Sequence, residues 1–465
     1  MLTVADLPQP PGLPLLGHGP ALARGGGMHR TLIAWEERLG GTYRIRLGPE
    51  PAVVSSSPEL VATVLRQRPE TFRRGTHMSD VIDELGGHGL FNAEGEDWRR
   101  LRRSAMPGLN ATALRGAFAT MVRSTDRLRA DWAGRPGERV AVLDDLMLYT
   151  LEVIVALTLS HDLDAIRRRD ADGLHRRLPL VASTVVRRMY SPLPYWRWLR
   201  LPVDRRTDAV VAEVRALTGE RLAGARQRMT DGQAPGSYLD ELVRSGIATG
   251  ETLTEQQAAG AVLNMLVAGE DNTAAQAAWA MHHLAAHPDV QAKVRAETSR
   301  VLGDRPFPED AATLSRLRYV EAVVNETMRV TPPAPFVLME ALHDTSIPDG
   351  AEELRVKRGT ILILLLGRGA QSEDRFPDAA SFRPERWLSD PPKPSAPAAP
   401  FLPFGSGPRF CPGRNLALLE SMLLVAMACH NFGITPDTSA GPVGERVTLA
   451  VLPTGLGVRL QPHQG

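Results

Sequence analysis

The chain has 465 residues, a net charge of +1 and two cysteines. That balance excludes a disulfide-stapled scaffold and gives no electrostatic case for nucleic acid or an anionic membrane surface. Only Lys293, Lys357 and Lys393 are lysines and arginine supplies the other cations, the mark of a GC-rich, bacterial coding sequence. Residues 1–30 form a Pro- and Gly-rich lead-in. Pro8, Pro10, Pro11 and Pro14 break any run of the roughly 20 apolar residues a membrane anchor needs, so a cytoplasmic protein without an anchor is expected. A short helix follows over 31–39, then a hairpin of 43–47 and 52–56 around a Gly-Pro turn. From 58 to 330 the apolar spacing is helical, broken at Pro136-Gly137 and Pro235-Gly236. The longest periodic stretch, 254–284, opens on Thr254 with Gln257 three residues on, a capping box. Another helix, 314–330, is stopped by Pro332-Pro333. Strand-like runs follow at 354–356, 360–365, 447–449 and 457–460, with an apolar helix over 414–430. The Pro/Ala stretch 391–400 is too short to separate domains, so one domain is expected over 1–465, mainly α with small β-sheets.

The chemistry concentrates at Phe404-Gly-Ser-Gly-Pro-Arg409-Phe-Cys411-Pro-Gly413. A lone thiolate can hold haem iron and push electron density onto it, if backbone donors and a rigid shell support it. Gly405, Gly407 and Gly413 would let the chain turn back toward the sulfur, Phe404 would exclude water, and Arg409 would pair with a haem carboxylate. A lone cysteine in a glycine-rich turn is more often a packing residue, and Cys429, on an apolar helix, is read that way. The first stretch, however, resembles the haem loop of the cytochrome P-450 family, Phe-x-x-Gly-x-Arg-x-Cys-x-Gly, at every fixed position. Leu416, Ala417 and Glu420 fit that family's next helix.

The resemblance implies further roles. Glu326 and Arg329, three apart, would alone be a surface ion pair of little value. They resemble the family's Glu-x-x-Arg pair, and Arg386 in Phe382-Arg-Pro-Glu-Arg386-Trp is its third member, a structural network. Trp98 and Arg102, four apart, read alone as a basic helix or nucleic-acid patch; in the family's context they bind a haem propionate. Met339 stands where the family commonly has arginine, which leaves propionate binding to Trp98, Arg102, Arg409 or a further residue that the motifs do not identify. Ala268-Gly-Glu-Asp271-Asn272-Thr273 resembles the family's oxygen-activating motif, in which Ala268 lies at the haem and Asp271 relays protons. The usual hydroxyl is replaced by Asn272, whose amide donates and accepts but relays a proton less simply. It can hold a relay water, bind a polar substrate group or leave the enzyme leaking peroxide. Thr273 substitutes only if the helix register shifts, since the next residue points about 100° away. His282, His283 and His287 read as surface residues, and Gly86-Gly-His-Gly89 is no phosphate loop, since no Lys-Ser/Thr follows.

The resemblance thus implies a single-domain, mainly helical fold with haem b (iron protoporphyrin IX) between the long distal helix and the cysteine loop. Leu90, Val267, Ala268, Pro335, Phe336, Val337 and Val451 or Leu452 would line the substrate pocket. These small and medium apolar residues favour a terpenoid, fatty acyl chain or polyketide, hydroxylated or epoxidised with dioxygen and two electrons in secondary metabolism. A separate ferredoxin or flavodoxin with its reductase is expected to deliver the electrons to a monomer. Asn272 keeps open a haem enzyme of oxidative coupling, desaturation or rearrangement. A non-catalytic haem ligand-binding protein is the remaining alternative.

Overall fold

The computed structural model describes residues 1–24, 27–169, 173–191, 193–250, 252–388 and 401–463; the Pro/Ala stretch 391–400 lies outside them. The chain divides into two compact units. One comprises Met1–His77, Glu326–Cys411 and Glu445–Val451, the other Met78–Asn325, Pro412–Gly444 and Leu452–Gly465.

In the first unit the expected hairpin joins Thr42–Leu47 to Glu50–Ser55, antiparallel. Gly48, at φ 64, opens its two-residue turn, a backbone conformation costly for a side chain. The second strand pairs in parallel with Ile361–Leu364, which pairs with Val337–Ala341, and that strand with Phe72–Arg74. Val53, Leu362 and Leu364 join one apolar cluster with Phe72 and Met339. Ala52, Val54 and Ile363 join another with Tyr43, Ile45 and Leu32. Both faces of the central strands are therefore covered, which is why 360–365 reads as an unbroken apolar run. A second sheet orders Leu2–Thr3, Glu352–Val356 and Thr345–Asp349. The strand expected over 447–449 is corrected: it ends at Val447. Thr448 instead closes a tight turn, its N–H on the Ala450 carbonyl and its hydroxyl accepting from the Ala450 N–H.

The second unit is helical. The long helix is Glu255–Ala286, 32 residues and so about 48 Å. Its capping box is formed: the Gln257 N–H donates to Thr254 Oγ1 at 3.2 Å and the Thr254 N–H to Gln257 Oε1 at 2.9 Å. It packs on Val142–Leu159, a helix buried almost all round. Gly269 permits the approach, since a Cβ there would lie 2.7 Å from Ile154 Cδ1. Arg414–Asn431 is the expected apolar helix near the C-terminus. The helix expected over 314–330 is Arg318–Val330; Ala311–Leu314 is a separate turn capped by Asp310. A small sheet orders Phe432–Pro436, Val458–Pro462 and Arg139–Val140.

Candidate active site

The cysteine loop is a closed, glycine-shaped turn. The Gly405 N–H donates to the Leu402 carbonyl, Phe410 to Gly407 and Cys411 to Phe404, the last at 2.9 Å. Gly405 and Gly407 sit at φ 68 and 71, and a side chain on Gly407 would strike the Leu65 carbonyl oxygen. The loop therefore lies on the end of the helix Pro58–Arg66. Gly413 corrects an expectation: at φ −81 it uses no glycine freedom. It caps the helix Arg414–Asn431, which begins three residues after the sulfur. Cys411 is partly exposed whereas Cys429 is buried. Burial pushes the Cys429 thiol up, so that residue stays a neutral packing group, as expected. Phe404 and Arg409 are half-buried.

Behind this loop lies a knot around Glu326. Arg329 Nε and Nη2 donate to Glu326 Oε2 and Oε1, both at 2.9 Å. Arg386 Nε and the Arg383 N–H add bonds to Oε1 at 2.9 and 2.8 Å, and Trp387 Nε1 one to Oε2 at 2.8 Å. Glu326 and Arg329 have no exposed surface, and Arg329 also donates to the carbonyls of Ala370, Ala379 and Ser381. All three expected members meet. Trp387, which sequence reasoning did not single out as a member, completes the carboxylate's shell. Its ring lies 4.8 Å from that of Phe401, at the start of the cysteine loop. Met339 is buried in the strand core, and Arg74 stands directly opposite it in the ladder.

In the second unit Trp98 is buried and Arg102 half-buried on Gly95–Ala105, on one helix face. The Gly86–Gly89 loop before them is pinned to the long helix. Asn264 Oδ1 accepts from the Phe91 N–H at 3.0 Å and its Nδ2 donates to the Gly87 carbonyl at 3.2 Å. A side chain on Gly260 would come 2.7 Å from the His88 carbonyl oxygen. Gly260 and Asn264 were missed; their four-residue spacing on the long helix is the signal that marks them. His88 reaches Asp83 at 2.8 Å and Asp97 at 2.6 Å with its two ring nitrogens. Only the doubly protonated ring donates to both. Burial works against that charge, but the bonds to Asp97 and Asp83 prevail and raise the His88 pKa.

The long helix is buried over 258–285 except at positions 264, 265, 267, 268, 269, 272 and 282. Ala268 is exposed, and Asn264 and Asn272 lie one turn either side of it, so the expected motif forms an open face. Asp271 and Thr273 are buried, as is Glu270. Burial holds the Glu270 carboxyl well above the usual carboxylate range, with the Asp271 charge adding to it. His283 is buried, contrary to the surface expectation; its ring is tilted against that of His282, with the ring centres 5.4 Å apart. Among the expected pocket residues, Leu90 is buried, Val267 half-buried, and Pro335, Phe336 and Val337 half-buried. The Val451 N–H donates to the Pro333 carbonyl at 2.8 Å, which brings it to that segment. Leu452 has no exposed surface and is corrected to a core residue.

The family model of cytochrome P-450 matches residues 7–458. The chain belongs to the cytochrome P-450 family. Among its relatives is cyclooctat-9-en-7-ol 5-monooxygenase of Streptomyces melanosporofaciens, 30% identical over 92% of this chain and 89% of the relative. Another is the Arabidopsis thaliana protein LUTEIN DEFICIENT 5, chloroplastic, 28% identical over 90% and 71%. A third, bifunctional cytochrome P-450/NADPH–P-450 reductase of Alternaria alternata, is 28% identical; the match spans 92% of this chain and 38% of that one.

As a cytochrome P-450 the protein is a haem monooxygenase, with a mainly helical fold and small mixed sheets, as the sequence led one to expect. Among the described residues no helix is long and apolar enough to cross a membrane. The residues suit the cofactor. A partly exposed thiol sits on a rigid glycine turn. Arg102, Arg409 and the Trp98 indole are donors of the kind carboxylates take. Ala268 puts only a methyl group on the open helix face.

Proposed function

We propose that Cys411, as a thiolate, would hold the haem iron in an enzyme that hydroxylates or epoxidises a small, largely apolar molecule. The observation that carries this is the cysteine loop: its one sulfur is partly exposed on a turn that Gly405 and Gly407 hold against Leu65. When bound, haem supplies the iron at which dioxygen is reduced with two electrons. Trp98, Arg102 and Arg409 would hold its propionates, and Arg74 would provide the cation that Met339 does not. Asp271 takes a proton at its carboxyl and passes it toward the open helix face. Such positioned acids contribute on the order of 10²-fold or more. Asn272, on that face, orients water through its amide. Leu90, Val267, Pro335, Phe336, Val337 and Val451 exclude solvent around a terpenoid, fatty acyl or polyketide substrate. The Streptomyces relative, by name an oxygenase of cyclooctat-9-en-7-ol, supports a substrate of this class in secondary metabolism. The fused Alternaria relative carries a reductase in its name; here a separate ferredoxin or flavodoxin with its reductase delivers the electrons. The test is the reduced carbonyl spectrum: the red-shifted band of thiolate ligation in the parent, its loss in Cys411→Ser. A Ser variant with an unchanged band removes the reading.

Asn272 favours a second reading, in which the same site couples, desaturates or rearranges its substrate. Turnover under labelled dioxygen separates the two, since insertion adds one heavy oxygen to the product.

A further inference from the structure

A second polar cluster lies where the helix Pro179–Met189 ends and Pro202–Thr230 begins. Arg188 has no exposed surface, nor has Asp204. Arg188 Nη2 donates to Asp204 Oδ1 at 3.1 Å, and Arg187 Nη2 donates to the same oxygen at 2.7 Å. The Leu201 N–H occupies Oδ2 at 3.1 Å, so the carboxylate's capacity is largely taken. Each guanidinium lies over an aromatic ring: Arg187 is 5.9 Å from the centre of Tyr195, and Arg188 is 5.1 Å from Trp196. The two rings meet edge-on at 5.4 Å.

Among the described residues, Arg188 Nε and Nη1, Arg187 Nε and the Tyr195 hydroxyl are buried without a hydrogen-bond partner. Buried polar groups are nearly always satisfied, and an orphaned charged donor is costly. Four such atoms gathered on three neighbouring side chains form a donor set that calls for an acceptor. The charges agree. Arg187, Arg188 and Arg197 face Asp204 and Glu84, the latter bound by Trp196 Nε1 at 2.5 Å and by Arg197. Three cations against two carboxylates leave one positive charge over. Arg188 also stands three and seven residues after Val185 and Val181, which are buried, so the apolar stripe of its helix runs up to the guanidinium.

We propose that this cluster binds the carboxylate of an amphipathic organic acid, as the polar anchor of the substrate. Arg187 and Arg188 supply N–H donors to it and Tyr195 its O–H. Guanidinium and phenol donors around one carboxylate make charge-assisted bonds that an alcohol cannot match. The inference rests on the monooxygenase reading for the ligand's role as substrate, but its binding chemistry does not depend on iron.

Equilibrium dialysis of the holoprotein against two matched pairs tests it: dodecanoate with dodecanol, and farnesoate with farnesol. At least one acid is expected to bind about tenfold more tightly than its alcohol, about 1.4 kcal/mol. Tyr195→Phe, which removes a hydroxyl without a partner, and Arg188→Lys, which keeps the charge but loses the fork, should each erase that preference while melting near the parent temperature. Equal binding of acid and alcohol in both pairs overturns the proposal. So does a preference that survives in Tyr195→Phe, or inorganic phosphate that displaces the acid at equal concentration. The carbonyl spectrum of the same preparation reports the haem reading separately, so the two can fail independently.

Discussion

Glu270 and Asp271 put two carboxyl groups side by side in the middle of the long helix, both buried. Among the described residues Glu270 Oε1 has no hydrogen-bond partner, and burial raises the Glu270 pKa well above the ordinary 4.5. A folded-state pKa above the unfolded one means that stability is full below pH ~4.5 and is lost as pH rises toward the folded value. Glu270→Gln keeps the shape and removes the ionisation. The variant should melt above the parent at pH 8 and level with it at pH 4. A parent that melts as high as the variant at pH 8 would show that Glu270 ionises freely in the fold. In the proposed site Asn272 offers an amide on the open helix face, so its replacement would be read in product coupling and not in stability.

At the scale of elements, the cysteine loop and the Glu326 knot form one construction. Glycine at 407 lets the loop rest on the Leu65 carbonyl. Phe401, whose ring lies tilted against that of Trp387, ties the loop's start to the carboxylate that also holds Arg329 and Arg386. Breaking a buried pair by removing one partner typically costs about 3–5 kcal/mol, since the remaining charge is left uncompensated. Glu326→Gln leaves two guanidinium groups facing a neutral amide. It should lower the urea midpoint and yield protein with less haem per chain than the parent, measured by pyridine haemochrome against peptide absorbance. Full haem content at an unchanged midpoint would show the knot to be dispensable. Read from the sequence, Glu326 and Arg329 were an i,i+3 pair like many on helix surfaces. What lifts them out of that class is burial, together with the carbonyls of Ala370, Ala379 and Ser381, which lie far along the chain.

At the scale of the molecule, each unit carries a carboxylate that resists acid. In the first, bonds from His29 and then Arg30 hold Glu445 down to about 2. In the second, hydrogen bonding from Arg127 holds Asp162 down to about 2. A depressed folded pKa gives stability that is present above the unfolded value and lost as pH falls toward the folded one. Unfolding free energy should therefore drop between pH ~4.5 and ~2. Glu445→Gln should flatten the part of that slope contributed by the first unit, and Asp162→Asn the part contributed by the second. Acid titrations followed by circular dichroism read both, and slopes identical to the parent's would show the pairs to be loose in solution.

Chemistry carried by neighbours in the chain could be read without coordinates. Phe404 to Gly413 marked the cysteine loop, Thr254 with Gln257 opened the long helix, and Tyr43 to Ser56 alternated into a hairpin, because turns, caps and strand periods are set by local sterics and hydrogen bonding. Groups whose state depends on distant neighbours could not. Trp387 on Glu326, Asn264 across the Gly86–Gly89 loop, the burial of His283 and the partnerless donors of Arg188 arise from packing between segments up to 177 residues apart. One-dimensional spacing carries no record of which atoms lose water together, and that loss sets both the raised pKa of Glu270 and the spare charge beside Asp204.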